Sequence, residues 1–197
     1  MKGTRDKMKG MVKWCHGMMV LLLLNSCGSD AIPKPKGYFR IDLAEPQYQL
    51  WTPDCPFSCE IPVHVVVKPR EGEGMTCWND LRFPSQRATV HLTYRTVGND
   101  LAQLIGEAHE FKSKHESKAV KITNTRVLRD SARVYGNLFD VEGDVASPMV
   151  FYLTDSTDHF LYGALYFDTR PNADSLAPVT QRLREEMRHL ATTLAWQ

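Results

Sequence analysis

Residues 119–168 read AVKITNTRVLRDSARVYGNLFDVEGDVASPMVFYLTDSTDHFLYGALYFD. Four runs rich in β-branched and aromatic residues alternate here with turn formers, the pattern of successive strands. Ala119–Arg129 ends at an Arg-Asp-Ser turn and Ala132–Glu142 at Gly143-Asp144. Val145–Leu153 ends at Thr154-Asp155-Ser156-Thr157, and His159–Asp168 stops before Arg170-Pro171-Asn172. Connections this short join antiparallel neighbours, so the stretch predicts a four-stranded meander. Pro148 has no N–H to give to a ladder and predicts an edge or a bulge in the third strand.

The flanks complete the domain. Downstream, Leu176, Val179, Leu183, Met187, Leu190 and Leu194 recur at helical spacing. Asp174 or Ser175 is placed to cap that helix, and Pro178 falls in its first turn. Arg182, Arg184, Glu185, Glu186 and Arg188 fill the other side. Upstream, Asn99 or Asp100 caps a helix to about Ser117, with Leu101, Leu104, Ile105, Ala108 and Phe111 on one stripe. Ala88–Thr96 alternates cleanly: Ala88, Val90, Leu92 and Tyr94 face one way, Thr89, His91, Thr93 and Arg95 the other. Phe57–Val67 reads as a first strand, Met75–Phe83 fits either state, and residues 38–56 read as a surface wrap. The expected fold is α+β, a single mostly antiparallel sheet with two packed helices in the order β-β-α-β-β-β-β-α. That order resembles the Mog1/PsbP-type fold, which implies nothing about function.

The N-terminus is of another kind. Lys2, Arg5, Lys7, Lys9 and Lys13 stand against Asp6, so the remaining chain holds 19 of the 24 basic and 22 of the 23 acidic residues and is mildly acidic. Nucleic acid is therefore a poor partner, because it calls for a basic patch. The apolar run Met18–Leu24 is far short of the roughly 18 residues that span a bilayer. A basic start, a short apolar core and small residues form an export signal. Leu24-Asn25-Ser26-Cys27 resembles the lipobox of bacterial lipoproteins. The resemblance implies cleavage after Ser26 and diacylglycerol on Cys27, with palmitate among the chains, and two or more chains hold stably. Residues 1–26 are thus expected to be a signal peptide and 27–37 a Pro/Lys linker reaching about 30 Å. Residues 38–197 are expected to form one globular domain. Gly28 follows the cysteine, without the aspartate that retains lipoproteins in the inner membrane of enteric bacteria, and this favours the outer membrane, periplasmic face.

Cys55, Cys59 and Cys77 remain once Cys15 and Cys27 are set aside. Cys55 can close a loop with Cys59, although an extended 57–61 reaches poorly. Alternatively Cys77 pairs with one of them, or all three stay reduced. A lone CxxxC is weak support for a metal.

No metalloprotease, P-loop, dinucleotide or nucleophile-elbow motif occurs. His109 and His115 lie six apart on a helix, off a common face, and read as solvated. His64 and His91 can face each other across strands but lack a third ligand. Thr154–His159 offers a hydroxyl, an imidazole and two carboxylates, a composition that also suits a plain hairpin turn. Phe151, Tyr152, Phe160, Tyr162, Tyr166 and Phe167 serve as core or line a groove.

Three stretches carry a resemblance. They are Pro33–Leu43 (PKPKGYFRIDL); Cys77–Pro84 (CWNDLRFP) leading into Ala88–Tyr94; and Ala146–Pro148 with Thr154–Phe167 and Pro171–Val179. Together they resemble the gliding-motility lipoprotein GldD family across essentially all the mature chain, with Cys55 and Cys59 departing from its pattern. The resemblance implies a non-enzymatic envelope lipoprotein of gliding motility and the linked type IX secretion machinery, acting beside lipoproteins such as GldJ. It supplies no catalytic residue, cofactor or metal. Tyr38, Phe39, Arg40, Asp155, Ser156, Thr157, His159 and Phe160 are the expected partner-binding surface. The competing reading is a small-ligand binder or hydrolase with an aromatic cleft, where His91 or His159 meets Asp155 or Ser156.

Overall fold

The computed structural model describes residues 45–197 apart from 73, 75 and 117. The signal peptide, Cys27, the linker and Tyr38, Phe39 and Arg40 lie outside the described residues. In chain order the strands and helices are β1 (Tyr48–Trp51), β2 (Phe57–Pro62), β3 (Val66–Pro69), β4 (Trp78–Phe83), β5 (Ala88–Thr96), α1 (Leu101–Glu116), β6 (Ala119–Arg129), β7 (Val134–Gly143), β8 (Met149–Thr154), β9 (His159–Phe167), α2 (Ala173–Thr193) and β10 (Ala195–Trp196). The α+β class, the two helices and the antiparallel meander β6-β7-β8-β9 are as read from sequence.

The sheet count is not. A seven-stranded sheet runs β3-β4-β5-β9-β8-β7-β6, and a three-stranded sheet runs β1-β2-β10. The expected first strand breaks at Val63-His64-Val65, where the Val65 N–H turns back onto the Pro62 carbonyl at 3.1 Å. The break sends β2 to one sheet and β3 to the other. The undecided Met75–Phe83 stretch supplies β4, and the wrap supplies β1. Pro148 sits just before β8, so its missing N–H costs no ladder bond, and β8 is central rather than an edge.

Each face of the large sheet has its own cover. Alternation sends Val90, Leu92, Phe151, Leu153, Leu161 and Leu165 to an inner face, where they join Leu183, Met187 and Leu190 of α2. Phe139, Tyr152 and Phe160 point outward and meet Leu104 and Ala108 of α1. Asn172, not Asp174 or Ser175, caps α2, its side chain accepting from the Ser175 N–H at 3.1 Å. The charged side of α2 is also less exposed than its sequence implies. Glu186 is buried beside Arg182 at 2.9 Å, and Arg184 lies 3.5 Å from the buried Asp140 of β7. Arg184 is covered by β7 of the large sheet, and the second sheet closes on the helix beside Glu186. Tyr48 stacks on His189 at 3.6 Å, His189 Nε2 lies 2.6 Å from the Glu60 carboxylate, and the Glu60 N–H donates to Thr193 Oγ1 at 3.0 Å.

Cys55 pairs with Cys77 (Cα–Cα 5.6 Å), while Cys59 is buried on β2 as a free thiol that burial pushes up to about 12. The bridge ties the β1–β2 connection to the start of β4, closing a loop with a sequence separation of 22. Chain-entropy arguments give such a loop about 3 kcal/mol. Cys55→Ser/Cys77→Ser is therefore expected to lower the melting temperature by roughly 10 °C. Thermal unfolding by circular dichroism checks it, with the reduced native chain as a second route to the same state.

Candidate functional site

The β8–β9 turn is built around one carboxylate. Asp155 follows directly on β8 and is 5% exposed. Its Oδ1 accepts main-chain N–H groups of Thr157 (3.0 Å), Asp158 (2.9 Å) and His159 (2.8 Å), and its Oδ2 accepts the Thr157 hydroxyl at 2.7 Å. The Arg133 guanidinium stands 3.7 Å away. Thr154 Oγ1 donates to the His159 carbonyl at 2.6 Å and accepts the Ser156 N–H at 3.0 Å. Burial raises the Asp155 pKa, but the hydrogen bonds from His159, Thr157 and Asp158 outweigh it and hold the carboxyl well below the usual range. Ser156 has φ 72°, a left-handed conformation that the closed network holds in place.

This geometry sorts the expected surface residues. Ser156, Thr157 and Asp158 are exposed at the tip and His159 is half-buried. Asp155 and Phe160 are not surface. Asp155 holds the turn from within, and Phe160 stacks on Tyr152 with ring centres 5.6 Å apart.

The expected meeting of histidine with Asp155 or Ser156 does not form. Odd and even residues of a strand face opposite ways, and the pairing of β5 with β9 puts His159 inward and His91 outward. The His159 ring hydrogen-bonds Tyr94 Oη at 2.8 Å and stacks on Trp196 at 5.1 Å. His91 Nδ1 lies 2.6 Å from Asp80, itself 3.2 Å from the Arg70 guanidinium. His64 is exposed beside Phe83 rather than opposite His91. His109 is half-buried against Phe139 at 5.2 Å, not solvated, because α1 rolls that side onto the sheet. The side chain of His115 lies outside the described residues. The same alternation divides the aromatic set: Phe151 and Phe167 go inward, Tyr152, Phe160, Tyr162 and Tyr166 outward. Among the described residues no group of three or more His, Cys, Asp or Glu is placed to hold a metal ion. Nor is any described helix long and apolar enough to cross a membrane.

Sequence reading missed Tyr94 and Trp196 as supports of the turn. Trp196 Nε1 donates to the Arg133 carbonyl at 3.0 Å, so the C-terminal strand braces the turn through contacts remote in sequence. No local signal marks such a pairing.

A search of curated proteins returns no match. Among solved structures, the solution structure of cyanobacterial PsbP (CyanoP) from Synechocystis sp. PCC 6803 is similar at 10% identity and a TM-score of 0.49. That match covers 82% of this chain and 98% of the other. The family model described as gliding motility lipoprotein GldD matches residues 28–196. Such a family carries a role in gliding motility and a membrane-anchored place in the cell envelope. With nearly all the chain after Cys27 matched, the protein belongs to the GldD family of gliding motility lipoproteins.

Proposed function

We propose that this lipoprotein is a non-enzymatic accessory component of the gliding apparatus and the linked type IX secretion machinery, holding a neighbouring envelope lipoprotein such as GldJ. The observation that carries the reading is the β8–β9 turn: an exposed Ser156-Thr157-Asp158 tip fixed by a buried carboxylate. A rigid tip loses little freedom on binding, so its contacts are not spent on ordering it. Tyr38, Phe39 and Arg40 form the second part of the surface, next to the linker. Lipid on Cys27 anchors the chain to the outer membrane, facing the periplasm. Confining two proteins to one surface raises their effective concentration without any new contact.

The test is a pull-down of the native lipidated chain from envelope extracts. Cys27→Ala and two alanine clusters, at Tyr38/Phe39/Arg40 and at Ser156/Thr157/Asp158, run in parallel. Gliding or secretion lipoproteins are expected with the wild type and lost from each variant, with a secretion defect in the cells. Unchanged co-purification and secretion in both cluster variants would sink the reading, as would a wild type that comes down alone.

A further inference from the structure

The outer face of the large sheet is covered by α1 only over its meander half, and a recess of about 350 Å³ opens where that cover ends. Its floor is set by β9, whose outward side chains run Phe160, Tyr162, Ala164, Tyr166. Ala164 contributes one methyl between two phenol rings, so the floor dips there. Leu104 and the small Ala108 form the helix wall. Trp78, capped by the Arg70 guanidinium at 4.9 Å, forms the wall opposite. The volume lies in the range of small-molecule sites, which combine an apolar lining with few polar groups.

The polar groups decide the chemistry. Arg70 is engaged by Asp80, the Leu92 carbonyl and Thr93, each at 3.2 Å. His91 is taken by Asp80, and Glu107 accepts from Gln103 at 3.0 Å. One cation of the lining stays without an ion pair. Arg95 is exposed and lines the recess with no ion pair among the described residues, while the Glu107 carboxylate stands in the same lining, held by Gln103. A free guanidinium at the rim of an aromatic floor suits an acceptor-bearing apolar solute and favours a negative one.

We infer that this recess binds a small amphiphilic anion, an aromatic or alkyl body carrying one carboxylate or sulfonate. The body lies on Tyr162, Ala164 and Tyr166, and the acid group meets Arg95. The site is separate from the β8–β9 tip and does not depend on the partner-binding reading.

The test is calorimetric titration of the full-length chain in detergent with naphthalene sulfonate, against naphthalene methanol as the neutral counterpart and empty micelles as blank. Saturable one-to-one binding of the sulfonate is expected. Arg95→Glu, on an exposed position that folding tolerates, should weaken it by about tenfold or more, the scale of a charged hydrogen bond. Ala164→Leu, which fills the dip, should abolish it. No saturable binding to the wild type would overturn the inference. So would equal affinity in Arg95→Glu, or equal affinity for the neutral counterpart.

Discussion

Asp140→Ala is expected to cost about 3–5 kcal/mol, because it strands a cation in the core. Asp140 is 8% exposed on β7 and faces two arginines of α2. Arg184 Nε stands 3.5 Å from Oδ1, and Arg188 contacts Oδ2. Burial pushes the Asp140 carboxyl up despite Arg184 and Arg188, and pushes Arg184 down despite Asp140. Both charges are thus held at a desolvation cost that each offsets for the other. Remove the carboxylate and Arg188 can turn to solvent, but Arg184 cannot, since its Nη2 is fixed on the Val141 and Pro148 carbonyls at 3.0 Å each. Denaturant unfolding reads the loss directly. Asp140→Ala/Arg184→Met should recover part of it, because the stranded charge is gone while the two carbonyls lose their donor. A double variant no better than the single would show that packing, not the uncompensated charge, sets the cost.

Asp155→Ala is expected to cost about 3 kcal/mol at neutral pH, since four hydrogen bonds to a charged acceptor are lost and three of their donors are main-chain N–H groups. This variant carries a pH signature. The folded carboxyl titrates below its unfolded value of about 4, so its contribution is fully present above that value. It drains away as pH falls through the lower folded pKa. The gap between wild type and Asp155→Ala should therefore hold from pH 7 to about 5 and narrow below about 4. Unfolding midpoints across that range check it, and a gap that stays constant into acid would mean the carboxylate's charge does not hold the turn. Loosening the turn should also weaken partner capture without touching an exposed side chain.

Periodicity made most of the large sheet legible. β5, β7, β8 and β9 each bury one or both faces, and a single-residue slip would reverse every side chain, so local patterning fixes their register, whereas β6 buries no residue and takes its place from its pairing with β7. Trp78–Phe83 (WNDLRF) mixes Asp80 and Arg82 with apolar residues and shows no clean alternation. Its polar side faces a cluster in which Asp80 meets His91 and Arg70, a compensation that depends on residues up to 11 positions away. The strand β1 was missed for a related reason: four residues, two of them exposed, are too few to display a period. The β8–β9 turn was readable as a turn. That Asp155 is its buried hub rather than its exposed edge was not, because composition alone cannot say which side chain turns back onto the main chain.

By itself the sequence determined the meander, both helices and the family, since each rests on local spacing or contiguous motif. Tertiary structure decided the rest. The break at Val63-His64-Val65 divided one expected strand between two sheets. Cys77 took Cys55 and left Cys59 in the core. The inward–outward alternation of β5 and β9 set His91 and His159 on opposite faces and dissolved the expected constellation. These outcomes depend on which surfaces meet across long separations, where burial, charge compensation and strand pairing act together and no local pattern records them.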